Sequence, residues 1–191
     1  MGDAVRGEDG RWRCPWASGP QYLTYHDGEW GRPVREESAL LERITLEAFQ
    51  SGLSWLTILR KRPAFRAAFA DFDPATVAAF TDADRDRLMA DGAIVRNRRK
   101  VDAAIANAQA TVALRQDGGL VEYFWSFQPA QVSRPRSLAE VPASTPESVA
   151  LAKGLRAKGF EHIGPTTMYA AMQACGVVTD HLVDCEFGGP A

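Results

Sequence analysis

No stretch of this 191-residue sequence approaches the roughly 18 consecutive apolar residues that a membrane span needs. The opening stretch MGDAVRGEDGRWR has no hydrophobic signal core, so the cytoplasm is the expected compartment. Cysteine is scarce. Three residues, an odd number without a secretion signal, argue against a disulfide framework. Positive charge is not in excess either: 22 Lys and Arg against 24 Asp and Glu give a net charge of −2. The total therefore does not announce a nucleic-acid binder. Convincing alternating strands and internal repeats are also missing, which leaves an all-α protein as the expected fold class.

What is present is ordinary for a soluble globular chain, with 46% apolar and 24% charged residues and enough length for a substantial core. Residues 1–12 read as a flexible, Gly-rich and charged leader, with 13–191 as the domain. A loop with turn signals runs on to about Pro33. Helical spacing begins in ESALLERITLEAFQSGLSW, where Leu40, Leu41, Ile44 and Ala48 share a stripe. PAFRAAFADF is a further short helical segment. DPATVAAF and TDADRDRLMA open on cap-like residues, Asp73 before Pro74 and Thr81 or Asp82. RNRRKVDAAIANAQATVALRQDGG is a long Ala-rich helix closed by Gly118 and Gly119. TPESVALAKGLRAKGF, capped by Ser144 or Thr145, and GPTTMYAAMQACG are two more.

Three features carry chemistry. The first is a set of metal-type residues at the two ends: Cys14 and His26, then His181 and Cys185 in HLVDC at i, i+4 spacing. Two thiolates and two imidazoles are a standard tetrahedral zinc set, structural rather than catalytic because no position stays open. Spacing alone is weak evidence for such a site, and buried cysteines beside surface histidines are the simpler reading of the residue types. Cys175 reads as core, and His162 as solvent-exposed.

The second feature is Glu47, which shares a helical face with Leu40 and Ile44. A carboxylate on a core stripe either pairs with a cation such as Arg43 or faces a pocket and accepts hydrogen bonds from a ligand. Trp55, beyond the break at Gly52, is then a wall of that pocket, with Trp16, Tyr25 and Trp30 as others. The third feature is AKGFEHIGPTTMYAAM, a helix, a Gly-bounded turn and a second helix starting at Gly164. Backbone N–H groups at such a helix start suit a phosphate, and Lys153, Arg156 and Lys158 add charge nearby. The basic cluster at Arg60–Arg62 reads as a solvated helix end, and Arg96–Lys100 reads either so or as phosphate contacts.

In order along the chain, RCPW, YHDGEWG, LEAFQSGLSW, GAIVRNRRK, FWSF, GFEHIGPTTMYAAMQACG and DHLVDC together resemble the 3-methyladenine DNA glycosylase I family. The resemblance covers nearly everything except the leader. It implies a helix-hairpin-helix DNA glycosylase fold with a structural zinc staple joining the N- and C-terminal segments through Cys14, His26, His181 and Cys185. It places the recognition carboxylate on Glu47 and aromatic contacts to the base on Tyr25 and Trp55, with Trp16 and Trp30 nearby. DNA contacts fall on Gly164, Thr166 and Lys158, and Gly52 and Leu53 are candidates for a plug that fills the gap left by a flipped nucleotide. The implied partner is double-stranded DNA containing alkylated bases, the product is free 3-methyladenine, and a monomer is expected.

The hairpin departs from the superfamily pattern of two closely spaced glycines, since Glu161 and His162 precede Ile163 and Gly164. No lysine is placed as a nucleophile, so lyase chemistry is not expected. Asp180 and Asp184 sit where hydrogen bonding to the metal-ligating histidines is the alternative to catalysis. Two other functions compete: a non-enzymatic zinc-stapled DNA-binding module, and a small-molecule hydrolase using Glu47 as base.

Overall fold

A computed structural model describes residues 2–131 and 133–188. The chain runs through β1 (Val5–Arg6), β2 (Trp12–Arg13), α1 (Pro20–Gly28), α2 (Glu37–Gln50), α3 (Trp55–Ala68), α4 (Pro74–Ala78), α5 (Asp82–Ala90), α6 (Arg98–Leu114), α7 (Gly119–Trp125), α8 (Pro146–Ala157) and α9 (Pro165–Ala174). Apart from the small ribbon, every regular element among the described residues is helical, as the spacing predicts. No helix among them is long and apolar enough to cross a membrane.

The helix starts follow local chemistry. Glu36 accepts hydrogen bonds from the Ser38 and Ala39 amides at the head of α2, and Asn97 accepts from Lys100 N at the head of α6. Asp73 caps α4, Thr81 and Asp84 form a reciprocal box on α5, and Thr145 pairs with Ser148 on α8. Helix α2 is the hub. It packs against α3, α6, α7 and α9, so both sides of its stripe are covered. Leu40, Ile44 and Phe49 of α2 meet Phe65, Ile105, Leu151, Met168 and Met172 in one continuous core. Truncating a fully buried aromatic such as Phe49 to alanine would cost about 3–5 kcal/mol.

Three expectations are corrected. The segment read as a flexible leader contains an antiparallel ribbon, with Val5 opposite Arg13 and Arg6 opposite Trp12. Buried Arg13 anchors it by bonding both Asp9 and Asp27, at 2.7 and 2.8 Å. Composition registers the glycines and charges of this stretch but not that long-range ion pair. The loop expected up to Pro33 is interrupted by α1, which includes Tyr25 and His26. Its sequence PQYLTYHDG has no apolar stripe, and the helix starts instead at Pro20, behind a left-handed Gly19. Tyr22 ties α1 to α3 by accepting a hydrogen bond from Leu56 N at 3.1 Å. Finally, α3 begins at Trp55, with Pro63 inside it rather than at a helix start.

Candidate base pocket and metal centre

Four helices and two loops converge on a cavity of about 360 Å³, lined by Trp16, Tyr22, Tyr25, Trp30, Glu47, Gln50, Trp55, Ala170 and Gln173. The volume falls in the range of small-ligand sites, roughly 300–1,000 Å³. Tyr25 comes from the last turn of α1, Glu47 and Gln50 from the end of α2, and Trp55 from the first position of α3. The Tyr25 and Trp55 rings lie 5.5 Å apart and Trp16 meets Trp30 edge-on at 4.9 Å. All five residues expected at a base pocket are therefore brought together. Tyr22, Gln50 and Gln173 were not foreseen. Gln50 was within reach, being three residues beyond Glu47 on the same face. A slightly larger cavity, about 390 Å³, lies near Pro129, Arg134 and Tyr169, but no pair of aromatic rings faces across it.

Glu47 is 8% exposed, and burial pushes its carboxyl up to about 8, opposed only by the charge of Arg43. Arg43 does not pair with it. Its guanidinium bonds Glu29, which also takes a two-pronged contact from Arg62. Two of the Arg43 nitrogens, Nε and Nη1, have no partner among the described residues, and neither does Trp55 Nε1. Burial beside Glu47 also drives the Tyr25 phenol well above its ordinary value, so it stays a neutral donor.

Behind the aromatic wall, Cys14, His26, His181 and Cys185 are all buried, with ligand atoms within 4.8 Å of one another. Cys185 Sγ lies 3.5 Å from His26 Nε2 and 3.4 Å from His181 Nδ1; Cys14 Sγ is 3.9 Å from the same Nδ1. A tetrahedron with bonds of roughly 2.0–2.3 Å has edges of about 3.3–3.8 Å; the two Cys185 distances fall in that range and the Cys14 distance is wider, so the group could hold a metal ion after a small contraction. The other ring nitrogens are fixed from outside. His26 Nδ1 donates to Asp27 Oδ1 at 2.8 Å, and His181 Nε2 donates to Trp30 O at 3.1 Å. This leaves His26 Nε2 and His181 Nδ1 facing the sulfurs.

Asp180 and Asp184 do not serve the histidines. Asp180 Oδ2 accepts from Tyr169 and from Gln173, both at 2.6 Å, while Asp184 accepts from the Gly2 amide. The supporting carboxylate is Asp27, missed although it adjoins His26 in YHDG. Arg134 fastens the C-terminal loop by donating to the carbonyls of His181, Leu182 and Cys185. The imidazoles touch the pocket wall directly: Trp30 lies 4.6 Å from His181 and Trp16 lies 5.0 Å from His26, centroid to centroid. Cys175 is buried, as expected of core, and its thiol is pushed up to about 12.

Of the residues expected to meet DNA, Gly52, Leu53 and Thr166 are exposed, whereas Gly164 and Lys158 are half-buried. Gly52 has φ +80 and Leu53 is 38% exposed in the turn between α2 and α3. Gly164 begins α9 with open space where a side chain would project, and Thr166 is exposed in the first turn. His162 is exposed too, and it adopts the left-handed conformation that a hairpin glycine would supply, φ +53. Lys158 forms an ion pair with Asp117 at 3.1 Å and lies over the Tyr123 ring. Lys100 corrects the reading of Arg96–Lys100 as uniformly solvent-facing or phosphate-facing. It is buried, and Nζ donates to the carbonyls of Phe49 and Ser51 at 2.9 and 2.6 Å.

The chain as a whole is similar to known proteins. The chain is 47% identical over 178 residues to DNA-3-methyladenine glycosylase 1 of Escherichia coli (strain K12), covering 91% of this chain and 95% of that protein. A crystal structure of 3-methyladenine DNA glycosylase I matches with a TM-score of 0.89 at 44% identity, covering 93% of this chain and all of the other. A variant of 3-methyladenine DNA glycosylase I in complex with 3-methyladenine matches with a TM-score of 0.88 at 34% identity, covering 93% and 98%. The model of the methyladenine glycosylase family matches residues 16–188. The chain is a member of the methyladenine glycosylase family.

Proposed function

We propose that this protein is a monofunctional DNA-3-methyladenine glycosylase, which hydrolyses the N-glycosidic bond of 3-methyladenine in alkylated double-stranded DNA and releases the free base. The observation that carries the reading is Glu47, a buried carboxylate without a salt-bridge partner among the described residues, in a cavity walled by Tyr25, Trp55, Trp16 and Trp30. A purely structural core rarely keeps such a group. The Escherichia coli DNA-3-methyladenine glycosylase and the related enzyme solved in complex with 3-methyladenine support the same substrate.

The chemistry follows from the substrate. In DNA the 3-methylated adenine carries a positive charge, so its glycosidic bond is already weak and the site need not supply a strong acid. The damaged nucleotide flips out and its base enters the cavity. Trp55 stacks on the cation, a contact worth about 1–2 kcal/mol when desolvated. Glu47 accepts hydrogen bonds from the base edge, and Tyr25 donates a second polar contact. The cation favours the ionised carboxylate, so loading the pocket releases the proton that Glu47 holds below about pH 8. The glycosidic C–N bond then breaks with its electron pair going to the base, which becomes neutral. Water adds to the sugar carbon and loses a proton to solvent. Neutral adenine lacks both the weak bond and the charge that Glu47 recognises.

Gly52 and Leu53 fill the gap in the duplex, while Gly164 and Thr166 at the start of α9 hold a backbone phosphate. The exposed Arg96 and Arg99, with Lys158 more remotely, add sequence-independent attraction. Zinc bound by Cys14, His26, His181 and Cys185 would join the chain ends and stiffen the wall formed by Trp16 and Trp30, with no open position for catalysis.

Tryptophan fluorescence titration with free 3-methyladenine tests the pocket assignment. Glu47→Gln and Trp55→Ala should each weaken binding of the neutral free base about tenfold, through a lost hydrogen bond and lost ring stacking. Wild-type affinity in both variants would remove these residues from base recognition.

A further inference from the structure

Among the buried polar residues of helix α6 that the proposed reaction does not use are Lys100 and Asn107, 7% and 1% exposed. They are seven residues apart, two turns along one face, separated by about 10 Å of helix rise. Each grips a different loop. Lys100 Nζ donates to Phe49 O and Ser51 O, capping the carbonyl end of α2 just before Gly52 and Leu53. Asn107 clasps one residue of the hairpin from both sides: Nδ2 donates to Glu161 O at 3.3 Å, and Oδ1 accepts from Glu161 N at 2.7 Å. Glu161 immediately precedes the left-handed His162 and leads to Gly164.

A buried ammonium is costly, and burial lowers the pKa of Lys100. It is held by two backbone carbonyls, with no carboxylate pairing among the described residues, so its position is fixed by the loop it holds. Burial, and after it the charges of Lys100 and Arg99, lower the pKa of His162 in the hairpin turn. One helix face thus holds the α2–α3 turn and the α8–α9 turn from beneath.

We propose that α6 is a spacer, with Lys100 and Asn107 as positioning residues that set the separation between the plug loop and the phosphate-binding hairpin. This rests on the reading above that Gly52–Leu53 and Gly164 meet DNA. Flipping needs both contacts in register on one duplex, and the two loops are distant in sequence, so something must hold them at a set distance. The spacer does so without touching the base.

The test uses the full chain with Lys100→Met, Asn107→Leu, their double variant and Lys100→Arg. Two affinities are measured: for a duplex containing a tetrahydrofuran abasic-site analogue, and for free 3-methyladenine. Each single variant should weaken duplex binding about tenfold, the scale of one lost buried hydrogen-bonding group, while base affinity stays within about twofold. Lys100→Arg, which can still donate to both carbonyls, should recover most of the loss. The double variant should be little worse than either single one, because losing one anchor already releases the spacing. Unchanged duplex affinity in both single variants, or base affinity falling in parallel, would overturn the spacer. Leu53→Ala separates the layers. If it weakens duplex binding while Lys100→Met and Asn107→Leu do not, the spacer alone fails; if it has no effect, the assignment of the loop to DNA fails with it.

Discussion

Arg43 gives its guanidinium to Glu29 and not to Glu47, although Glu47 lies one turn further along the same helix. The consequence is a carboxyl group in the pocket with a nearby positive charge but no ion pair, and burial dominates its titration, near 8. That fixes how activity depends on pH. For a cationic base the ionised carboxylate is the binding form, so kcat/KM on alkylated duplex should rise with pH to about 8 and then level off. Glu47→Gln should flatten the rise. A wild-type profile flat from pH 6 to 9 would contradict the role of Glu47.

The same group affects stability with a definite sign. Its folded value, about 8, lies above the ordinary value of 4.5, so between these limits the native state holds more protons than the unfolded state. Stability is therefore lost as pH rises through this window, at up to about 1.4 kcal/mol per pH unit. Urea unfolding at about pH 5 and pH 7.5 should show the wild type losing stability relative to Glu47→Gln. An equal response in both proteins would place Glu47 in water rather than in the pocket.

Asp27 makes the proposed zinc staple testable without touching a ligand. It accepts from His26 Nδ1 and pairs with Arg13, so it orients the imidazole and ties the N-terminal ribbon to α1. Asp27→Asn should reduce zinc affinity about 10–100-fold in chelator competition, with one zinc per chain in the wild type. Chelation should lower the melting temperature and weaken free-base binding through Trp16 and Trp30. Protein purified without zinc and insensitive to chelators would refute the staple.

What the sequence revealed depended on whether the signal was local. Glu47 stood out because its neighbours Leu40 and Ile44 define a stripe on which a carboxylate does not belong. The four zinc-type residues were recognisable by type, but their convergence depends on the fold bringing the two ends of the chain together. Helix α1 left no trace because PQYLTYHDG carries no periodic apolar face, and its order comes from Tyr22 and His26 packing on distant elements. Lys100 was concealed by RNRRK, a run that looks solvated residue by residue. Only the packing of α6 under the end of α2 turns its ammonium inward. Asn107 left a faint trace, an amide among the buried alanines Ala104 and Ala108, which the Ala-rich pattern masked.

The most direct measurement is incubation of the purified protein with alkylated duplex DNA and chromatographic identification of the bases set free. Release of 3-methyladenine with 7-methylguanine left in the DNA is the expected result. Tight duplex binding with no base released would contradict glycosylase activity and leave a zinc-stapled DNA-binding module on the same fold.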